Sequence, residues 1–302
     1  RLFLTDGGLE TTLVFHDGIE LPHFAAFDLL RTAEGAERLR AYYRRYLDIA
    51  AANGTGFILE SAGWRASSDW GAKLGYSQRA LAQVNIDSIE LMAALREAYA
   101  AKVQPIVLSG CVGPRGDGYD PGTVMSAQEA EEYHSEQVRS YGGTVADMVT
   151  AITMTNANEA IGVTRAAKAA GMPVAISFTL ETDGRLPTGQ SLKEAIEEVD
   201  AETGRAPAYY MINCAHPTHF AGTLSGKDGW LQRIRGIRAN ASKRSHAELN
   251  EAPDLDDGNP VELGAQYRDL LRRHPHINVL GGCCGTDHRH IESICGACKA
   301  AA

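Results

Sequence analysis

The chain has few cysteines, no basic run and no long apolar span, and each absence removes a class of protein. Six cysteines in 302 residues, at positions 111, 214, 283, 284, 295 and 298, are too few for a small secreted domain held together by disulfides. Lys and Arg number 29 against 38 Asp and Glu, a net charge of −9. No Arg/aromatic stripe offsets that balance, so nucleic acid is not an expected partner. No apolar stretch reaches the ~20 residues needed to cross a bilayer, and Arg1 to Asp6 run directly into a strand-like segment with neither a charged leader nor a cleavage site. The expectation is a cytoplasmic protein with no membrane partner. Also missing is the glycine-rich phosphate loop of an open doubly wound sheet, because Asp6-Gly7-Gly8-Leu9-Glu10 does not read G-x-G-x-x-G.

What is present is enough apolar material for a large core, 44% of residues, arranged as short β-branched runs each followed by a longer Ala/Leu/Glu/Arg-rich stretch. Eight such pairs are predicted: strands at 2–6, 56–60, 105–109, 147–153, 174–178, 209–213, 234–239 and 278–281, with helices at 33–52, 78–101, 127–141, 158–170, 192–202, 219–224, 261–273 and 288–294. Ser126 with Glu129 three residues on reads as a helix start, and Gly171-Met172-Pro173 and Gly204 as stops. Eight units favour closure into a single (β/α)8 TIM barrel over residues 1–302. The polar, acidic stretch 240–259 reads as a long loop after the seventh strand.

In such barrels the chemistry sits at the C-terminal ends of the strands. Cys214 ends the sixth strand, and Cys283 with Cys284 ends the eighth in Gly281-Gly282-Cys283-Cys284-Gly285, so all three converge on one mouth. Neighbouring strand residues point to opposite faces, and the flanking glycines permit the distortion that would let both cysteines reach one ion. Three readings stay open on these residues alone: an open three-thiolate site, which suits catalytic better than structural zinc; structural cysteines; or a disulfide or redox pair.

Taken together, Asp6-Gly7-Gly8-Leu9-Glu10-Thr11, the turn Gly113-Pro114-Arg115-Gly116, Ile212-Asn213-Cys214 and Gly281-Gly282-Cys283-Cys284-Gly285-Thr286 resemble the homocysteine S-methyltransferase family. The resemblance runs in order through nearly the whole chain. It implies a (β/α)8 barrel, Zn2+ held by Cys214, Cys283 and Cys284, a substrate thiol as a further zinc ligand, and an Asp6-Gly7-Gly8 turn that helps hold homocysteine. A free thiol is mostly protonated at neutral pH; zinc removes the proton, and the thiolate attacks the methyl group of a sulfonium or quaternary ammonium donor. The expected partners are thus a small-molecule thiol and a methyl donor, with homocysteine converted to methionine, and a homo-oligomer is expected because exposed barrel helices commonly pair.

Further candidates lie on the predicted βα loops. Trp64, Trp70 and Tyr119 offer aromatic faces for a cationic donor, and Asn213 and His216 flank the sixth-strand cysteine where they can support a metal ligand. One position departs from the pattern: homocysteine-using members commonly end the fourth strand in Glu-Thr, where the carboxylate grips the substrate's ammonium, and here Ile152 stands in that place. Either the acceptor lacks an α-amino group or another carboxylate has taken over. Glu60 with Ser61, at the end of the second strand, is the first choice for that carboxylate and Glu181 the second. A barrel that keeps the metal and binds ligand without catalysis is the alternative of another class. Cys295 and Cys298 read as one face of the last helix, and Cys111 as a residue following the third strand with no metal role.

Overall fold

A computed structural model describes residues 1–226 and 228–299. Its helices begin where short polar side chains replace the missing intrahelical partners of the first N–H groups. Ser126 and Ser191 each form a full capping box, with Glu129 and Glu194, and Thr32, Ser77, Asn156 and Asn259 cap four other helices through a side-chain oxygen. Left-handed Gly54 and Gly204 end two of them.

In chain order the barrel elements are β1 Phe3–Leu4, α1 Ala33–Asn53, β2 Gly56–Glu60, α2 Gln78–Tyr99, β3 Ile106–Val112, α3 Ala127–Gly142, β4 Met148–Met154 and α4 Ala157–Ala169. The second half continues with β5 Val174–Thr179, α5 Leu192–Thr203, β6 Tyr209–Asn213, α6 Pro217–Phe220, β7 Ile234–Ala239, α7 Pro260–Arg273, β8 Val279–Gly282 and α8 His288–Lys299. All strands pair in parallel in sequence order, and β8 closes on β1 through Phe3 opposite Val279 and Leu4 opposite Leu280. The expected (β/α)8 barrel is therefore the observed fold.

The period-two alternation of each strand sorts its side chains into two environments. Phe57 and Leu59 of β2, Tyr210 and Ile212 of β6, Ile237 of β7 and Leu280 of β8 pack outward under the helices. Each fully buried aliphatic or aromatic side chain of this layer contributes about 1.5–3 kcal/mol. The opposite parity points inward: Ile58, Met211 and Val279 form a separate apolar cluster inside the barrel. Two residues further along the same strands, that inward parity reaches Glu60, Asn213 and Gly281 at the C-terminal end. The barrel is thus plugged with apolar side chains below and polar ones above, where the site lies.

Several elements differ from those expected; the sixth helix, for one, spans Pro217–Phe220 and not 219–224. β1 is shorter than 2–6, because the chain turns out of the sheet after Leu4 while Thr5 keeps one hydrogen bond to the Leu280 carbonyl. β3 runs on to Val112 and so contains Cys111. β4 carries a register irregularity between Ala151 and Met154, with Thr153 at a positive φ of 65°. The stretch 240–259 holds a short helix, His246–Glu251, started by a Ser245/Glu248 capping box.

Candidate active site

At the C-terminal mouth Cys214, Cys283 and Cys284 bring their sulfur atoms within 4.8 Å of one another. The backbone is bent to do this. Cys214 leaves β6 in a left-handed conformation, φ 51°, which a residue with a Cβ rarely adopts, and Gly285 turns the chain after the cysteine pair at φ 79°. Gly281 is small for a different reason from the one expected: its φ is ordinary, and an added Cβ would collide with the Thr5 side chain and lie 2.9 Å from the Asp6 carbonyl oxygen. The close approach of β8 to the β1 turn, rather than torsional freedom, requires glycine there.

The structure joins Cys214 and Cys283 as a disulfide, with Cα atoms 5.4 Å apart. Cys284 is a free thiol whose Sγ lies 3.9 Å from that of Cys214. Zinc–sulfur bonds of ~2.3 Å in a tetrahedral site place two sulfurs about 3.8 Å apart. The Cys214/Cys284 separation already matches this value, and reduction of the Cys214–Cys283 bond yields a third soft donor on the same spot. The donor set therefore fits a zinc ion with one open position, once reduced.

Neighbouring side chains hold these sulfurs. Asn213, fully buried, accepts hydrogen bonds from the Thr153 backbone N–H (2.9 Å) and the Ser177 hydroxyl (2.6 Å), and donates to Thr153 Oγ1 (2.9 Å) and Cys283 Sγ (3.7 Å). Its amide thus locks the β4 irregularity, β5 and the Cys283 sulfur together. The Tyr119 hydroxyl donates to Cys284 Sγ at 3.1 Å, and its ring stacks on His246 at 3.9 Å. His246 bonds the Cys214 carbonyl through Nε2 (2.6 Å) and Glu181 through Nδ1 (3.1 Å). His216, by contrast, caps α6 by accepting from the Thr218 N–H, and burial pushes its imidazole down to about 4; it does not touch the sulfurs.

The mouth encloses a cavity of about 240 Å³ lined by the three cysteines and by Asp6, Gly7, Gly8, Glu60, Ser61, Trp64 and Ile152 among others. Every expected substrate-binding residue except Asn213, which lies beneath it, reaches this space. Their partners, however, change what they can do. Arg238, the inward residue of β7 missed in the sequence, is buried and sends its guanidinium to the Asp6 carboxylate (2.7 Å), the Glu60 carboxylate and the carbonyls of Gly282 (3.1 Å) and Gly7 (3.3 Å). Tyr42 donates to the second Asp6 oxygen at 2.9 Å. Burial opposes the Arg238 charge, but Glu60 and Asp6 more than offset it, so the guanidinium titrates above its ordinary value. For Glu60 the balance runs the other way: burial, only partly countered by Arg238, pushes its carboxyl up to about 7. Asp6 is raised for the same reason.

Other expectations meet similar limits. Ser61 Oγ accepts from the Cys111 backbone N–H at 3.0 Å. Cys111 itself lines the cavity but lies outside the three-sulfur group. Trp70 does not line the cavity; its ring is covered by Arg65 at 3.6 Å and Lys73 at 3.8 Å, and its indole N–H donates to the Arg115 carbonyl. Glu181 is engaged by His246 and is not part of the lining. Ile152 sits on the wall where a carboxylate was expected, and Cys295 and Cys298 are buried in α8, away from the mouth.

The homocysteine S-methyltransferase family model matches residues 3–298. The chain belongs to the homocysteine S-methyltransferase family. It is accordingly a methyltransferase, as the resemblance implied. Among solved structures, the homocysteine methyltransferase MmuM from Escherichia coli matches in an oxidised form (TM-score 0.76, 21% identity, all of this chain and 96% of that one) and in a metallated form (TM-score 0.73, 19% identity, all of this chain and 97% of that one). No curated protein matches the chain by sequence. No helix among the described residues is long and apolar enough to cross a membrane.

Proposed function

We propose that this chain is a zinc-dependent S-methyltransferase that moves a methyl group from a sulfonium or quaternary ammonium donor to a small thiol, homocysteine first among the acceptors. The observation that carries this reading is the convergence of three cysteine sulfurs on the floor of a cavity of metabolite size. Zinc bound there supplies a thiolate acceptor at neutral pH, which a free thiol is not.

The protein's own part is to position and to select. Asn213 and Tyr119 each direct a hydrogen-bond donor at a cysteine sulfur, orienting the ligand set and moderating its charge. Four carboxylates, of Asp6, Glu10, Glu60 and Asp117, line the cavity against two guanidinium groups, of Arg65 and Arg238. That excess favours a cationic methyl donor over an anionic one. Trp64 and Tyr119 remain as aromatic walls, each with one face already covered, by Arg65 at 4.5 Å and by His246 respectively. Methyl transfer from such a donor to a thiolate cancels opposite charges, so holding the two reactants in line is the main requirement.

A second reading, an acceptor lacking the α-amino group, is favoured by one specific observation: Ile152 replaces a carboxylate, and Asp6 and Glu60 are both committed to Arg238.

The experiment is methyl transfer to L-homocysteine by reduced, zinc-loaded protein, offered S-methylmethionine, S-adenosylmethionine and a betaine in turn. Methylation that disappears on Cys284→Ala, together with bound zinc, is the expected result. Stoichiometric zinc without methylation of any thiol from any donor would support a ligand-binding barrel instead.

A further inference from the structure

Asp6 and Glu60 are both engaged by Arg238, which leaves Glu10, Arg65 and the half-exposed Asp117 as the other carboxyl and guanidinium groups of the cavity wall. Glu10 lies on the one-turn helix Leu9–Thr11 directly after the glycine turn. It is half-buried, burial raises its carboxyl to about 7, and among the described residues no ion pair or hydrogen bond from another side chain engages it. Arg65 is 91% buried, yet its Nε and Nη1 have no partner, and its Nη2 stands 3.8 Å from Asp117, beyond hydrogen-bonding reach. Its guanidinium is held against the rings of Trp64 at 4.5 Å and Trp70 at 3.6 Å, which fixes its plane without satisfying its donors. The Trp64 indole N–H is likewise buried without an acceptor.

A buried guanidinium with idle donors beside a cavity is an unfavourable arrangement until an anion completes it. Glu10 and Arg65 line the same cavity without pairing with each other, although they are near enough for the Glu10 charge to act both on Arg65 and on the Cys284 thiol. Opposite charges set apart in one cavity next to the sulfur cluster suit a ligand that carries both signs on one end and a thiol on the other.

We propose that Glu10 and Arg65 form the receptor for the zwitterionic head of an α-amino-acid acceptor, Glu10 taking its ammonium and Arg65 its carboxylate. This rests on the thiol-transfer reading, and it supplies the carboxylate that Ile152 lacks from the β1 side of the mouth rather than from β4. It favours an amino-acid thiol over one without the α-amino group.

The test uses reduced protein loaded with Co2+, whose sulfur-to-metal absorption reports thiol ligation independently of turnover. The probes are L-homocysteine, 4-mercaptobutyrate, which lacks the ammonium, and 3-mercaptopropylamine, which lacks the carboxylate. Each truncated thiol is expected to bind about tenfold more weakly than homocysteine, the effect of one lost charge-assisted contact. Glu10→Gln should weaken homocysteine by about the same factor while leaving 4-mercaptobutyrate within twofold. Arg65→Gln should do so while leaving 3-mercaptopropylamine unchanged, and Arg65→Lys, which keeps the charge, should retain part of the preference if the glutamine variant does not fold. Equal binding of 4-mercaptobutyrate and homocysteine, or variants that weaken all three thiols alike, would overturn the receptor while leaving thiol ligation intact. If S-methylmethionine affinity falls in the variants and homocysteine affinity does not, the head belongs to the donor and the proposal fails. Absence of a spectral change with every thiol would overturn it together with the reading on which it rests.

Discussion

Replacing Arg238 with Met isolates the charge at the centre of the mouth. The methionine fills much of the volume but leaves the Asp6 and Glu60 carboxylates, both 4% exposed, facing each other without a cation. Breaking a buried ion pair by removing one partner costs about 3–5 kcal/mol. In a chain of this size that corresponds to roughly 6–10 °C in Tm, at about 2 °C per kcal/mol. The loss depends on pH in a definite direction. Without Arg238 both carboxyls rise further; at pH 5 a proton taken up between them relieves the repulsion at little cost, whereas at pH 8 either holding that proton or ionising both is unfavourable. Urea denaturation at the two pH values should therefore show the full loss at pH 8 and a clearly smaller one at pH 5. A loss below about 1 kcal/mol, or one equal at both pH values, would refute the view that Arg238 neutralises the pair.

Three further outcomes follow from the same geometry. Burial raises the Glu60 carboxyl to about 7 from 4.5, so the fold binds its proton more tightly than the unfolded chain does. Its contribution is full below pH 4.5 and falls as pH rises through 7, by about 3 kcal/mol; Glu60→Gln should remove that fall, read as the difference between the stability–pH curves of variant and parent. Asn213→Ala deletes the donor to Cys283 Sγ and the lock on Thr153, and zinc affinity measured by chelator competition should drop about 10- to 100-fold. Gly285→Ala forces a side chain into φ 79° with its Cβ 2.8 Å from the Asp256 carbonyl oxygen, and should destabilise the protein by about 1–3 kcal/mol in urea denaturation.

The barrel was legible because its signal is repeated eight times, and β-branched runs alternating with capped helices leave few other architectures. The convergence of Cys214 with Cys283 and Cys284 followed from strand ends alone, since all three lie at C-terminal ends of parallel strands. The fate of Glu60 was not legible: its ion-pair partner is Arg238, 178 residues away, and no local pattern pairs two such positions. A weaker signal was available, because Arg238 follows Gly236 by two residues in β7 and so shares its inward parity, where a cation needs a carboxylate. Glu10 was passed over because it sits inside the glycine-turn motif, and whether it faces the cavity or solvent depends on a single turn of helix. The joining of Cys214 to Cys283 depends on the left-handed turn at Cys214, which has no glycine to announce it.

The proposed metal centre is tested most directly by zinc X-ray absorption on the reduced, zinc-loaded protein before and after addition of L-homocysteine. Three sulfur neighbours at ~2.3 Å, rising to four with the thiol, are the predicted result. Fewer than three sulfurs, or a coordination shell unchanged by homocysteine, would contradict the three-cysteine site and the thiol chemistry built on it.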